Sequence, residues 1–230
     1  MIGRIQKLGA VLAVLGVVFL AAGAFALYKA NEGMTALNAY SAAQDVKLSY
    51  NEQGQLVDRG DPAQAEAILT LLQDDWGYPV VAGDLNPGDP LVNTATEYMY
   101  QMATITYHTL NGTQTIVLPE DVTAADGTLY KAGTYEFAVD GRYWTDFNRT
   151  NPIEAAAREK AWSGTAHALV ANLGVGTVTA SALQLGLGLA GLFAGVGFFA
   201  LMTGLGLVWA TRAAEERQPK LALRPEAVPA

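Results

Sequence analysis

The chain has 230 residues, of which 14 are Lys or Arg, 22 are Asp or Glu, 51% are hydrophobic and none is Cys. This hydrophobic content excludes general disorder, and the lack of Cys excludes disulfides, thiolate metal sites and cysteine nucleophiles. Two His and a net charge of -8 also argue against most metal sites and against nucleic-acid partners.

The first predicted element is a membrane span over residues 8–28, which contain no charged side chain. A helix of this length, at about 1.5 Å per residue, crosses a hydrocarbon core of about 30 Å. A cleaved signal peptide is the alternative, because Arg4 and Lys7 resemble an n-region and residues 24–26 (AFA) a cleavage site. The apolar run exceeds the roughly 7–15 residues of a signal-peptide core, which favours an uncleaved anchor.

Residues 183–210 form the second predicted span. No charged residue lies between Lys160 and Arg212, and only Gln184 and Thr203 are strongly polar within the span. A buried helix of a soluble protein rarely has this length and composition. The chain is therefore predicted to be a two-pass membrane protein.

Charges flanking the spans predict the orientation. Residues 29–182 carry 8 Lys or Arg and 19 Asp or Glu, a net of -11. The positive-inside rule places residues 1–7 and the tail, residues 211–230, in the cytoplasm, and the acidic segment outside the plasma membrane. The tail is charged and contains Pro, so its composition alone predicts mobility. The positive flanks are Arg4, Lys7, Arg212, Arg217, Lys220 and Arg224.

The first half of the central segment is predicted to alternate between helix and hairpin. Residues 29–43 suit a helix that prolongs the first span, and residues 47–58 alternate as a hairpin does. Asp61 and Pro62 then provide an N-cap and a first helical residue, and Gly77 ends that helix.

Residues 93–110 are compatible with two structures. Tyr98 and Tyr100 alternate as in a strand, whereas Asn93 is a suitable helix cap and Asn111 a suitable helix end. We favour a helix.

The second half of the central segment contains four strand candidates and a helix. Asp140-Gly141 is the strongest hairpin signal between two of them. Asn151 and Glu154 suggest a capping box, with a helix that continues through His167 towards Gly174. The external domain is thus expected to be mixed α+β between two transmembrane helices, with strands at residues 114–118, 128–130, 135–139 and 142–147.

No catalytic or metal motif emerges from the titratable residues. His108 and His167 are the only histidines, and the nearest acids in sequence, Glu97 and Asp121, show no ligand spacing. Ser163 is not part of a nucleophile elbow. We therefore predict no catalytic residue, no metal and no cofactor.

Small residues within the spans predict helix packing. Gly191 and Gly195 form a GxxxG motif next to Gly188, and Gly16 and Gly23 give the first span a small stripe. The predicted contact is with another helix, in this chain or in a partner.

Aromatic residues of the external domain allow two interpretations. They form the core of a small β-containing domain, which we favour, or a face for a partner or ligand. The candidate face consists of Tyr98, Tyr107, His108, Tyr135 and Trp144.

One resemblance rests on the pattern A-x-I-x-x-H-x-L, formed by Ala103, Ile105, His108 and Leu110, and on Asn151-Pro152 followed by the Ser-, Ala- and Leu-rich residues 163–187. In these features the chain resembles small two-span actinobacterial membrane proteins of unknown function, often labelled aromatic ring-opening dioxygenases. The resemblance implies a cell-envelope location and two spans. The resemblance implies no activity, and this sequence shows no metal ligands that would support the dioxygenase label.

These features predict a non-catalytic accessory subunit of a larger envelope complex. By analogy of architecture, we expect the actinobacterial respiratory supercomplex of cytochrome bc and oxidase as the setting. The partners would then be other membrane-protein subunits and the lipid bilayer. The alternative is an independent envelope module that binds a lipid or small ligand in its external domain. An enzyme is the third option, which a loss of activity on mutating His108 would support.

Overall fold

The structure is a computed structural model that describes residues 2–222, with side-chain surroundings defined through Ala214. The chain divides into two compact units. Unit 1 comprises Met1–Ala36 and Ala182–Ala230, and unit 2 comprises Leu37–Ser181.

Unit 1 is built from two long helices. Helix α1 covers Ile2–Gln44 and helix α5 covers Gly164–Ala222, so each also contributes residues to unit 2. Both helices are long and apolar enough to cross a membrane, and only 11% of the most apolar window of each is buried. A core helix of a soluble protein would be buried over that window, so the exposure agrees with the predicted spans.

Two predictions about the ends of these helices can be compared with the structure. The expected prolongation of the first span is confirmed, because α1 continues to Gln44. The predicted tail, residues 211–230, begins as helix, since α5 extends to Ala222. Residues 223–230 lie outside the described residues, as do the side chains of Arg217, Lys220 and Arg224.

The helices of unit 2 begin at polar caps that satisfy their free N–H groups. Helix α2, Pro62–Thr70, begins after Asp61, whose carboxylate accepts from the Ala63 N–H at 2.8 Å, and it ends in a π-helical turn, Leu71–Asp75. Residues 93–110 form a helix as favoured: α3 covers Ala95–Leu110. Its cap is Thr94, not Asn93, because Thr94 and Glu97 form the capping box.

The strands of unit 2 pair as three antiparallel two-stranded ribbons. The ribbons are β1 (Ser49–Tyr50) with β2 (Leu56–Val57), β3 (Thr113–Leu118) with β6 (Gly133–Ala138), and β4 (Val122–Thr123) with β5 (Leu129–Tyr130). Strands β1 and β2 form the predicted hairpin at residues 47–58. Strands β3 and β6 form the longest ribbon, in which Ile116 is opposite Tyr135.

The predicted strand at residues 142–147 is wrong. Strand β6 pairs with β3, which precedes it in the chain, so the turn at Asp140 and Gly141 does not lead into a partner strand. Instead the Tyr143 N–H donates to the Asp146 carboxylate at 2.8 Å, and this contact closes a local turn.

The predicted helix from Asn151 through His167 is two helices. Helix α4, Pro152–Ala161, ends at Trp162, whose φ of -100° and ψ of 55° leave the helical region. The Trp162 indole N–H donates to the Arg142 carbonyl at 3.1 Å, which holds the ring at this break. The predicted capping box is also wrong, because Glu154 accepts from the Asn148 N–H while Asn151 alone caps the helix.

The core of unit 2 draws residues from α2 and the turn after it, which pack against α3, and from the β3–β6 ribbon, which packs against α4. Ile68 and Leu72 are fully buried from the α2 side, and Ile116 of β3 and Val139 are buried from the ribbon side. The end of β2 and one face of α3 pack against α2 in this core, and they carry the polar groups described below.

Candidate functional site

Small residues form the contact between α1 and α5 in unit 1. Gly9, Gly16 and Gly23 are buried at intervals of seven residues. An added Cβ at Gly16 would lie 2.5 Å from the Leu201 nitrogen, and one at Gly197 would lie 2.7 Å from the Leu20 nitrogen. The helices therefore approach backbone to backbone, as small residues permit in membranes. We call this contact the seam, formed by Gly9, Gly16 and Gly23 of α1 with Ala190, Gly197 and Gly204 of α5.

The predicted glycine interface lies only partly in the seam. Gly16 and Gly23 lie in it, whereas Gly188, Gly191 and Gly195 do not: among the described residues, nothing lies within 4 Å of a Cβ built on them. At 3.6 residues per turn, positions 188 and 195 point away from the face that carries Ala190 and Gly197. Their packing against a helix of another chain stays a prediction.

A groove runs beside the seam within unit 1. Its volume is about 430 Å³, and Gly23 on α1 and Gly191 on α5 both contribute to it. Small side chains leave this space open, because none reaches across it. The groove is lined by Leu20, Gly23, Ala24, Leu27, Leu187, Ala190, Gly191 and Ala194.

Unit 2 contains a cavity of about 240 Å³. Its walls come from the end of α1, the loop before α3, α3 itself and the part of α5 that belongs to unit 2. Most wall atoms are apolar, and three uncharged amides lie among them, on Gln44, Gln101 and Asn172. The apolar wall residues are Val46, Val92, Ile105, Leu169 and Leu173.

Tyr98 fixes one side of this cavity. Its hydroxyl shares a hydrogen bond of 2.8 Å with the Ser41 hydroxyl, and both residues are buried. Its ring packs against the α5 backbone at Gly176, where an added Cβ would lie 2.7 Å from the ring. The Tyr98 hydroxyl is therefore already occupied, and the ring offers the cavity an apolar surface.

His108 forms an acid–base pair that sequence spacing did not reveal. Its Nε2 lies 2.7 Å from Asp58 Oδ2, and the two side chains are 24% and 12% exposed. Asp58 directly follows β2, and a tight turn with positive φ angles at Arg59 and Gly60 comes immediately after it. The pair links this hairpin to the last turn of α3. No other side-chain hydrogen bond to His108 is present in the described part of the chain.

Burial perturbs two groups on α3. The pKa of the Tyr100 hydroxyl is raised well above its ordinary value, first by burial and then by the Asp58 charge. Burial also raises the pKa of Glu97, although its carboxylate accepts from the Asn93 and Thr94 N–H groups at 2.9 and 2.8 Å. Both groups therefore favour their neutral forms more than exposed groups do.

The predicted ligand face is not assembled as one pocket. Of its five residues only Tyr98 lines the cavity. Tyr107 stacks edge-on against His108, Tyr135 donates to the Lys131 carbonyl, and Trp144 packs under the Arg158 guanidinium at 4.0 Å. Whether these residues meet a partner stays a prediction.

No group of three or more His, Asp or Glu side chains is placed to hold a metal ion within the searched part of the chain. The arrangement offers instead an apolar cavity with neutral amides and a groove of small residues. Neither the cavity nor the groove is lined by a charged or redox-active side chain.

Comparison with known proteins finds no match: no protein-family model, no curated protein and no solved structure resembles the chain significantly. The function must therefore be inferred from the geometry.

Sequence reasoning singled out Tyr98 but missed the other cavity residues and Asp58. The amides Gln44, Gln101 and Asn172 come from three helices far apart in the chain, and no local motif relates them. The seam did leave a signal in the sequence, the seven-residue spacing of Gly9, Gly16 and Gly23 and of Gly197 and Gly204.

Proposed function

We propose that the chain is a two-pass membrane protein that serves as a non-catalytic accessory subunit of a larger membrane complex. The single observation that carries this proposal is the groove beside the seam, an open, small-residue surface on two helices of membrane-spanning length.

The exposed surfaces of α1 and α5 support membrane insertion. Large apolar side chains point outward along both helices, including Phe25, Phe199 and Trp209, which are 64%, 72% and 75% exposed. Water would make such surfaces aggregate, whereas a hydrocarbon core solvates them. Arg4, Lys7 and Arg212 at the ends support the orientation with both termini in the cytoplasm.

The groove supports docking to another transmembrane helix. In a bilayer, helices associate by close packing and not by the hydrophobic effect, so a concave surface of Gly and Ala favours a partner's protruding side chain. Gly23, Ala24 and Gly191 leave room there for such a side chain. In the seam, α1 and α5 already pack against each other. The groove beside it is therefore available to a helix of a different chain.

The acidic central domain supports a role at the outer face of that complex. Its net charge of -11 over residues 29–182 would attract a basic soluble partner, such as an electron carrier, and this attraction would weaken with salt. By analogy of architecture, we propose a respiratory complex of the actinobacterial envelope as the setting.

The test is affinity capture of the tagged full chain from its native membrane in mild detergent, with quantitative mass spectrometry and a visible absorption spectrum. We expect membrane subunits at fixed stoichiometry, with haem bands if the complex is respiratory. Ala24→Leu fills the groove and should release the partner. Ala21→Leu is the matched control, because Ala21 is exposed and lies outside the groove.

Two results would contradict the proposal. One is a wild-type chain that purifies without any stoichiometric partner. The other is a partner that both leucine variants retain equally, which would show that docking does not use the groove.

A further inference from the structure

We propose that the cavity in unit 2 binds the apolar chain of a neutral, single-chain amphiphile. This inference goes beyond the accessory role and does not depend on it, because the cavity and the groove belong to different units.

The size of the cavity sets the size of the bound group. At about 30 Å³ for each group of water or methylene size, the volume of about 240 Å³ accommodates about eight such groups. This corresponds to one alkyl chain of moderate length and is too small for a helix of a partner protein. The volume is also slightly below the roughly 300 Å³ of pockets for drug-sized ligands.

The walls of the cavity determine the polarity of the part of the ligand that is buried in it. Val92, Ile105 and Leu173 present only hydrocarbon, and water in such a space would lose hydrogen bonds. The cavity is partly open, since Val46 and Leu169 in its walls are 42% and 46% exposed, so an alkyl chain would cover apolar surface that now faces solvent. Contact with the walls would therefore favour an alkyl chain over water.

The polar groups of the cavity determine which charge the headgroup of the amphiphile can carry. Gln44, Gln101 and Asn172 provide amide N–H and C=O groups, and no Lys, Arg, Asp or Glu lines the cavity. A carboxylate or an ammonium group would lose hydration there without gaining a countercharge. A hydroxyl or ester head can instead both donate to and accept from the amides.

The cavity is held open by contacts that need no ligand. The hydrogen bond between Tyr98 and Ser41 and the packing of Tyr98 on Gly176 fix its rigid side. A ligand would therefore enter a preformed space, which reduces the entropic cost of binding.

The test uses the full chain in phosphatidylglycerol nanodiscs and a seven-carbon primary alcohol with a mid-chain diazirine. After irradiation, proteolysis and mass spectrometry locate the adducts. We expect saturable labelling around Ile105, Leu169 and Leu173. Unlabelled heptanol should compete, and heptanoate and heptylammonium should compete at least about tenfold more weakly, which corresponds to about 1.4 kcal/mol.

A pair of tryptophan variants controls for the position of binding. Leu173→Trp fills the cavity and should reduce labelling at least about tenfold, a difference of about 1.4 kcal/mol. Val178→Trp places the same side chain on the same helix outside the cavity, where Val178 is 68% exposed, and should leave labelling unchanged. If Leu173→Trp does not fold, Ile105→Phe provides a smaller filling change.

Three outcomes would overturn the proposal. Labelling restricted to residues 8–28 and 183–210 would place the probe in lipid. Equal labelling of the two tryptophan variants would show that the cavity is not the site. Equal competition by the charged amphiphiles would show that the amides do not select a neutral head.

Discussion

The seam predicts a specific cost for a single added methyl group. At Gly197 an added Cβ would lie 2.7 Å from the Leu20 nitrogen and 2.9 Å from the Gly16 carbonyl oxygen. Both of these neighbours are backbone atoms and cannot rotate away, so Gly197→Ala must move the helices apart. Restoring a contact of 3.4 Å requires a displacement of about 0.7 Å. A gap of that size forfeits about a quarter to a half of the contact energy of the atoms it separates.

We therefore expect Gly197→Ala to destabilise the helix pair by about 1–3 kcal/mol. Gly195→Ala is the matched control, because it adds the same methyl group two residues away, where nothing described lies within 4 Å. Any change in helix propensity is about the same for both variants, so their difference isolates the seam.

The assay is unfolding of the full chain in bicelles, followed by fluorescence transfer between labels on α1 and α5. The natural chain has no Cys, so Leu8→Cys and Leu205→Cys introduce only the two label sites. Both of these leucines are exposed, at 54% and 51%. Equal stability of the two alanine variants would refute the close approach of the helices at the seam.

Three further predictions concern unit 2 and use thermal and chemical unfolding of the full chain. Tyr98→Phe leaves the Ser41 hydroxyl buried without its partner and should cost about 1–3 kcal/mol; an unchanged stability would contradict the buried hydrogen bond. Asp61→Ala removes the α2 cap and should cost about 0.5–2 kcal/mol, whereas Asp61→Asn should cost much less. Folding raises the pKa of Glu97, so the folded state binds its proton more tightly, and this contribution to stability should be lost as the pH rises from 4.5 through the raised pKa. Glu97→Gln should abolish that pH dependence, and an unaltered profile would contradict the assignment.

Much of the local structure could be predicted because its signals are local. The cap of α2 at Asp61 and the hairpin at residues 47–58 depend on neighbouring residues only. The spans follow from length and lack of charge, and both helices have the expected character.

The errors occurred where a distant partner decides the structure. Asp140-Gly141 is a strong hairpin signal, but in the structure β6 pairs with β3, and residues 142–147 do not form a partner strand. The break at Trp162 is fixed by a hydrogen bond to Arg142, twenty residues earlier in the chain, which a helical pattern does not encode.

The candidate sites show the same division. The small stripe of Gly16 and Gly23 is visible in the sequence, but the α5 residues opposite it are not, because Gly188, Gly191 and Gly195 lie at a different angle around the helix from Gly197 and Gly204, and spacing alone does not fix that angle. The cavity could not be predicted, since its walls come together only when α1, α3 and α5 are folded.

The central claim is that this chain works as a subunit of a larger membrane assembly. Native mass spectrometry of the wild-type chain, released from its own membrane in nanodiscs, tests it most directly. We predict that the 24.3 kDa chain is found in one larger assembly of fixed mass that contains other membrane subunits. A dominant species of 24.3 kDa, or a multiple of it without other chains, would contradict the claim.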